Sequence, residues 1–177
     1  MLILVVGVVG GAGTTTLAHE LIRQGKPTVG LDLSDGTLAA RIDRRTYPID
    51  SAAFSRRRQQ QVIEDIVRQR YTLLWTSACR LRPQRVWALV SAVAQRIDIV
   101  ADGGLQPPAG GWDLATVKLA VNRESDDPVA AWHEARLRQA HPDVRAVTGD
   151  LKAAGKALAV ELLPKPERSL QIPFLSR

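Results

Sequence analysis

The amino-acid sequence predicts an α/β fold in which a mainly parallel β-sheet is doubly wound, that is, covered by helices on both faces. Short apolar runs alternate along the chain with segments of helical periodicity, which is typical of this fold class. The first run, at residues 3–8, has no charged position, as expected for a parallel strand buried on both faces. A length of 177 residues fits one domain, and we expect residues 1–177 to form it.

The first predicted unit is a strand, a glycine-rich loop, a helix and a second strand. After the strand at residues 3–8 come several glycines, and apolar residues with helical spacing then run from Thr14 to Gln24. Gly25 ends this helix, and the second strand spans residues 28–33 and contains Asp32. A unit of about thirty residues has the size of a βαβ crossover, which places both strands parallel in one sheet.

The remaining elements follow the same alternation. Further strands are predicted at residues 71–76, 97–101 and 116–121, and helices at residues 51–70, 82–95 and 127–140. The strand at residues 97–101 leads directly into Asp102, Gly103 and Gly104. Residues 151–163 are ambiguous, because their first half has helical spacing while residues 157–163 also fit a last strand.

The loop between the first strand and the first helix is rich in glycine and threonine. It contains Gly10, Gly11, Ala12, Gly13, Thr14, Thr15 and Thr16. Glycines let the backbone turn tightly, so the N–H groups from Gly11 to Thr16 can surround phosphate oxygens at the positive end of the helix. Thr15 stands where a P-loop places the hydroxyl that binds Mg²⁺. We therefore predict a P-loop NTPase-like domain, the alternative being a tight turn without a ligand.

Three segments of the chain resemble the ParA/MinD family of deviant Walker A ATPases. They read VVGVVGGAGTTTLAHEL, GKPTVGLDLSDG and RIDIVADGG, within residues 1–42 and 83–104. The resemblance implies ATP and Mg²⁺ as cofactors, with residues 10–16 binding the phosphates and Thr15 and Asp102 binding the metal. It also implies that Asp32 acts in catalysis, and that Asn122, which precedes Arg123 after a strand, contacts the adenine base.

The sequence departs from the family pattern at positions that carry charge. Val9 and Thr14 stand where the family has its signature lysine and its P-loop lysine, and Ser34 replaces the second aspartate of the Asp-any-Asp element. Asp35, one residue later, is the candidate for that catalytic position. Because a group that neutralises transition-state charge contributes a factor of about 10³–10⁵ in rate, we expect little hydrolysis. Binding can persist on backbone N–H groups and Mg²⁺, and an arginine from the block described next could replace the lost charge.

The positive charge of the chain is concentrated in one stretch. Between Arg41 and Arg96 the chain carries twelve arginines and four acidic residues, within a formal net charge of +6. This Arg41–Arg96 basic block is typical of binding to nonspecific DNA or to an acidic partner, and a solvated arginine-rich surface has the same composition. The family resemblance adds a homodimer. We expect a cytoplasmic protein without a transmembrane segment, because the longest apolar runs are short and the first has no signal-peptide character.

Three functions are compatible with the sequence. The resemblance favours a degenerate ParA/MinD-like protein that positions or partitions DNA, or a secretion or pilus machine, and binds ATP weakly or not at all with little hydrolysis. The spacing of Gly7, Gly10 and Gly13 before Asp32 also fits, in part, the fingerprint of a Rossmann-type NAD(P)-binding oxidoreductase. The sequence contains no recognisable Tyr-Lys or His-acid pair for that chemistry. The third alternative is a nucleotide-free interaction scaffold.

Overall fold

The chain folds into a parallel sheet between two layers of helices. The computed structural model describes residues 1–34, 36–42, 45–49, 58–76, 79, 81–122 and 128–165. The strands in this part of the chain are β1 (Leu2–Gly7), β2 (Val29–Asp32), β3 (Thr46–Pro48), β4 (Thr72–Leu74), β5 (Ile99–Asp102), β6 (Val117–Val121) and β7 (Arg145–Val147). They form one sheet in the order β3-β4-β2-β5-β1-β6-β7, and each pair of neighbours is parallel.

Helices cover both faces of this sheet. They are α1 (Thr14–Gln24), α2 (Thr37–Arg41), α3 (Gln59–Gln69), α4 (Pro83–Ala94), α5 (Gly111–Leu114), α6 (Pro128–Ala140) and α7 (Leu151–Leu162). Residues of α1, α2 and α7 belong to one apolar cluster, and residues of α3 and α4 belong to the other, on which α5 and α6 also pack. The predicted α/β fold with a doubly wound parallel sheet is confirmed. No helix in the described part of the chain combines the length and apolar character needed to cross a bilayer.

Strand β1 lies inside the sheet and contributes to both apolar clusters. Leu2, Leu4 and Val6 belong to the cluster on the α3–α4 side, and Ile3 and Val5 belong to the cluster on the α1–α7 side. Each of these side chains is 3% exposed or less. Successive side chains of a strand point to opposite faces, so an inner strand covered on both sides needs an uninterrupted apolar run.

The strand predictions are confirmed at five places, with bounds shifted by one or two residues, and they correspond to β1, β2, β4, β5 and β6.

The alternative of a last strand at residues 157–163 is wrong, because α7 continues to Leu162. Its buried residues Gly155, Leu158 and Ala159 recur with helical spacing and face α1 and the sheet. The helix predicted at residues 51–70 corresponds to α3 in the part that the structure describes. Residues 50–57 lie outside the described residues.

Four short elements were not predicted. They are β3, α2, α5 and β7, each of three to five residues. The two strands lie at the two edges of the sheet, and most of their residues are exposed or half-buried. Such short segments contain fewer than two full periods of an apolar pattern, so a repeat cannot be recognised in them.

The strand order brings the carboxyl ends of three strands together. β5 pairs with β1 on one side, with Val5 opposite Asp102, and with β2 on the other side, with Asp32 opposite Asp102. Since the carboxyl ends of parallel strands lie at one edge, the loop after β1 and both aspartates share this edge of the sheet. Ligands of open α/β sheets bind at that edge.

Helices α1 and α7 pack closely because a glycine lies between them. Gly155 of α7 is buried, and a Cβ atom placed on it would lie 2.6 Å from the Cβ of Glu20 on α1. Real Cβ contacts are essentially never this short, so the two helix backbones would have to move apart. Because α1 carries the glycine-rich loop at its start, this contact fixes the helix that positions the loop.

We expect Gly155→Ala to lower the stability of the protein. Overpacking costs about 1–3 kcal/mol, and the better helix propensity of alanine offsets at most about 1 kcal/mol. A net loss of about 1–2 kcal/mol corresponds to a decrease in Tm of about 2–8 °C for a domain of this size. Differential scanning calorimetry measures this change.

Gly10→Ala is the matched control, since a Cβ at Gly10 meets nothing within 4 Å. Its Tm is expected to stay within about 2 °C of the wild-type value, as for other surface changes. Equal Tm values for the two variants would contradict the assigned role of Gly155.

Candidate phosphate-binding site

The loop after β1 depends on glycines for its backbone conformation. Gly11 and Gly13 have positive φ angles of 69° and 101°, a region that glycine enters without the steric cost that other residues incur. Ala12 donates its N–H to the carbonyl oxygen of Val9 at 3.2 Å, which closes the turn. A Cβ on Gly13 would also clash with the side chain of Leu151 on α7. Gly11 and Gly13, two of the glycines that predicted a phosphate loop, are therefore also required by the turn itself.

The first turn of α1 is left without a side-chain cap. Its N-cap residue is Gly13, which has no side chain to accept a hydrogen bond. Two other helices are capped: Asp32 accepts the N–H of Ala39 in α2 at 3.0 Å, and Asp150 accepts the N–H of Lys152 in α7 at 2.9 Å. First-turn N–H groups have no partner within their own helix, so those of α1 are available to an anion.

Thr15 in the first turn of α1 contacts Asp102 at the end of β5. The Thr15 hydroxyl donates to Asp102 Oδ2 at 2.6 Å, and Asp102 Oδ1 accepts the N–H of Gly104 at 3.2 Å. The side chain of Asp102 is fully buried. The sequence assigned these two residues, which are 87 positions apart, to one metal site, and the structure brings them into direct contact.

Burial raises the pKa of Asp102 above its usual value. Hydrogen bonds from the hydroxyls of Thr15 and Thr14 and from the N–H of Gly104 act in the opposite direction, and the nearby carboxylate of Asp32 adds to the rise. The net direction is upward. A cation beside Asp102 would therefore relieve an electrostatic cost that the folded chain carries.

Gly103 explains why glycines follow Asp102. Its N–H donates to the carbonyl oxygen of Val5 at 2.8 Å. A Cβ at this position would lie 3.0 Å from Leu4 Cδ1 and 3.1 Å from Val6 Cγ1. The end of β5 therefore packs against β1 with no room for a side chain, and this contact holds Asp102 beside the loop.

Asp32 lies beneath the site and is fully occupied by backbone and hydroxyl donors. Its Oδ1 accepts the N–H of Ser34 (3.1 Å), the hydroxyl of Ser34 (3.1 Å) and the N–H of Gly36 (3.2 Å), while its Oδ2 accepts the N–H of Ala39. The side chain has no exposed surface. These contacts shape the turn from β2 into α2. The catalytic role inferred from the family resemblance stays a prediction.

A cavity of about 370 Å³ opens at the loop, a volume within the range of small-molecule sites. It is lined by Gly7, Val9, Gly11, Ala12, Gly13, Thr14, Thr15, Thr16, Ser34, Arg41, Gly104 and Leu105. Of the predicted phosphate-loop residues, all except Gly10 line it. Asp102 does not line the cavity itself and reaches it through the hydroxyl of Thr15.

Arg41 is the one charged side chain among the lining residues in the described part of the chain. Its Nη1 donates to the hydroxyl of Thr16 at 3.1 Å. Val9 and Thr14, which replace the family's lysines, also line the cavity, and Val9 packs against both apolar clusters. The sequence suggested that an arginine of the basic block could replace the lost charge, but no motif singled out Arg41 among them.

Asn122, the predicted base-contact residue, does not line this cavity. Asn122 follows β6, donates from Nδ2 to Glu134 Oε2 at 2.7 Å, and has a buried Oδ1 without a hydrogen-bond partner among the described residues. Asp35 and Arg123 lie outside the described residues. The contact of Asn122 with a base and the catalytic role of Asp35 stay predictions.

A second cavity of about 610 Å³ adjoins the first and shares Gly7 and Leu105 with it. Its wall includes Trp132, which is 54% exposed, with the guanidinium of Arg136 lying 5.0 Å from the ring centroid. The carboxyl edge of the sheet thus carries a polar cavity at the loop and a partly aromatic cavity beside it.

The residues at the loop fit a magnesium ion that is shared with phosphates. Mg²⁺ prefers oxygen ligands and is usually held by one or two carboxylates together with waters and substrate phosphates. Thr15 and Asp102 supply a hydroxyl and a carboxylate of this kind. Among the described residues, no three His, Cys, Asp or Glu side chains are grouped as a self-sufficient metal site. A metal here would therefore depend on ligand phosphates for part of its coordination.

The arginines of the basic block lie at both ends of the sheet. Arg45, Arg70 and Arg96 lie next to or close before the amino ends of β3, β4 and β5, whereas Arg82 and Arg85 lie at the start of α4, on the carboxyl side. All five are exposed. The described part of the block is therefore divided between two regions of the surface and does not form one continuous stripe.

No family model matches the chain, and a search of curated proteins found no match.

We expect Asp102→Asn to show how the buried charge affects stability. A carboxyl whose pKa is raised in the folded state stabilises the fold below its unfolded pKa, and this contribution is lost as the pH rises through the folded pKa. Asparagine stays neutral at every pH. In buffer free of divalent cations, the Tm of Asp102→Asn relative to the wild type should therefore rise as the pH increases above the unfolded pKa of an aspartate.

Asp143→Asn provides a control of opposite sign. The hydrogen bond from Lys118 holds the pKa of the exposed Asp143 carboxyl below its usual value. Its stabilising contribution is present above the unfolded pKa, so the relative Tm of this variant should fall or stay level with rising pH. A relative Tm for Asp102→Asn that does not change with pH would contradict the electrostatic account of the site.

Proposed function

We propose that this protein binds the magnesium complex of a nucleoside triphosphate at the loop between β1 and α1. The Thr15–Asp102 contact carries this proposal. In P-loop NTPases, Mg²⁺ is held by the P-loop Ser or Thr and a Walker B aspartate, while backbone N–H groups hold the phosphates. Thr15 and Asp102 match these two positions, and the uncapped first turn of α1 supplies the N–H groups.

The strand order supports this function over a dinucleotide-dependent oxidoreductase. In the common order of dinucleotide-binding domains, the first two strands are neighbours, 3-2-1-4-5-6. Here β5 lies between β1 and β2 and brings Asp102 to the loop. In the oxidoreductase reading Asp32 would hydrogen-bond a ribose hydroxyl, but its carboxylate has no exposed surface and accepts four hydrogen bonds from nearby residues.

Slow or absent hydrolysis is part of the proposal. Phosphoryl transfer is catalysed mainly by positioning and by neutralising charge on the transferred group. Thr14 and Val9 bring no charge to the cavity, and the Asp32 carboxylate is already engaged by its neighbours. The site therefore favours a nucleotide-binding switch over an efficient ATPase.

The resemblance to the ParA/MinD family suggests how such a switch is used. We propose a role in positioning or partition of DNA, or of a secretion or pilus machine, with a homodimer as the working unit. The exposed arginines at the start of α4, on the carboxyl side of the sheet, are the part of the basic block placed to report the nucleotide state to an acidic partner such as DNA.

Isothermal titration with Mg²⁺-ATP and with NADPH tests the proposed ligand. We expect a dissociation constant for Mg²⁺-ATP in the micromolar range, negligible phosphate release, and weakened binding when EDTA removes the metal. NADPH is expected to bind weakly or not at all. Tight NADPH binding that does not depend on Mg²⁺ would contradict the proposal.

Thr15→Val removes the hydroxyl with almost no change of shape, so it should abolish the Mg²⁺-dependent part of ATP binding. Thr46→Val is the matched control, because Thr46 is exposed on the edge strand β3, away from the loop. This control should bind Mg²⁺-ATP as the wild type does.

A further inference from the structure

Among the described residues that line the loop cavity, none is a lysine and Arg41 is the one cation. The wall of the cavity contains Thr14 where a P-loop has lysine, and the lining residues Thr15 and Ser34 contact the buried carboxyl groups of Asp102 and Asp32. A polyphosphate entering this site therefore meets N–H groups and hydroxyls that are backed by two acidic side chains. Mg²⁺ offsets part of the phosphate charge, and a further cation would strengthen binding.

The fold places Arg41 where it can supply that cation. Helix α2 is anchored by the bond from Ala39 to Asp32 and by Leu38, which is fully buried in the same apolar cluster as Leu17 of α1. Arg41 is the last residue of α2, lines the cavity, and donates from Nη1 to the hydroxyl of Thr16. The guanidinium is thus held beside the first turn of α1 by packing that does not involve its own charge.

The chemistry of the guanidinium suits this position. It carries five N–H donors in a planar arrangement, and the bond to Thr16 uses one of them. Arginine binds phosphate oxygens through paired hydrogen bonds and stays protonated at any physiological pH. The side chain is exposed, so its remaining donors are accessible to a ligand in the cavity.

We propose that Arg41 binds the phosphate chain of the nucleotide and supplies the positive charge that Thr14 lacks. This assignment rests on the proposed function of the loop and identifies the ligand class as a nucleoside di- or triphosphate held by its phosphates. The guanidinium approaches from α2, at the side of α1 marked by Thr16, and not from the position of the missing P-loop lysine. Arg41 therefore replaces the missing positive charge in phosphate binding. It does not replace the lysine in catalysis, so hydrolysis stays slow.

The test compares Arg41→Gln and Arg41→Lys with Arg45→Gln, which removes the same charge at an exposed position before β3. The probes are Mg²⁺-ATP and magnesium tripolyphosphate, the second of which has no base or sugar. Arg41→Gln should weaken both by about 10- to 100-fold, as expected for a charge-assisted hydrogen bond to phosphate. Arg41→Lys should retain part of the affinity, and Arg45→Gln should change neither.

The dependence of affinity on ionic strength gives a second test, because Arg41→Gln would not alter this dependence if the role of Arg41 were purely structural. The affinity of the wild type for tripolyphosphate should fall with added salt, and this dependence should be weaker in Arg41→Gln. The Tm of Arg41→Gln should match that of the wild type within about 2 °C, because the side chain is exposed.

A double-mutant cycle with Thr14→Lys tests the compensation directly. If the two cations serve the same phosphates, Arg41→Gln should cost less affinity in the Thr14→Lys background than in the wild type. If Arg41→Gln costs as much affinity in the Thr14→Lys background as in the wild type, then Arg41 does not compensate for the missing lysine.

The remaining outcomes separate this assignment from the proposed function. Wild-type binding of Mg²⁺-ATP with an unchanged affinity in Arg41→Gln would overturn the role of Arg41 and leave the proposed function standing. Failure of the wild type to bind either probe would overturn the proposed function, and the role of Arg41 with it.

Discussion

The pairing of β5 with both β1 and β2 is the constraint on which the candidate site depends. It places Asp102 opposite Val5 on one side and opposite Asp32 on the other. Gly103 then lets the end of β5 pack against β1 without a side chain between them. From this position the carboxylate accepts the Thr15 hydroxyl at 2.6 Å. Without β5 between β1 and β2, the loop would be only a glycine-rich turn.

The electrostatics of the site also fit the binding of a metal ion together with an anion. The fold buries two carboxylates at one edge of the sheet and leaves the first turn of α1 open, whereas α2 and α7 are capped by aspartates. Burial without a cation raises the pKa of Asp102. Burying a carboxylate is costly even when it accepts hydrogen bonds, and a buried carboxylate beside open N–H groups fits a site completed by a metal and an anion.

The sequence predicted the fold class and the strands that form the centre of the sheet, because these strands have long apolar runs. β3 and β7 were missed because three-residue edge strands have no apolar period to detect. The glycine-rich loop between β1 and α1 and the Thr15–Asp102 contact followed from motifs, which specify residues at fixed positions. The contact of Arg41 with Thr16 could not be predicted, since it depends on how α2 packs against α1 and on no local pattern.

The central claim is that the N–H groups at the start of α1 and the carboxylate of Asp102 surround one metal–phosphate group. Nuclear magnetic resonance of ¹⁵N-labelled protein with ATP, in which paramagnetic Mn²⁺ replaces Mg²⁺, tests this directly. The account predicts selective broadening of the amide signals of Gly11 to Thr16 and of Asp102 to Gly104, with the signals of β3 and β7 retained. Broadening centred on another part of the chain, or no broadening with ATP present, would contradict it.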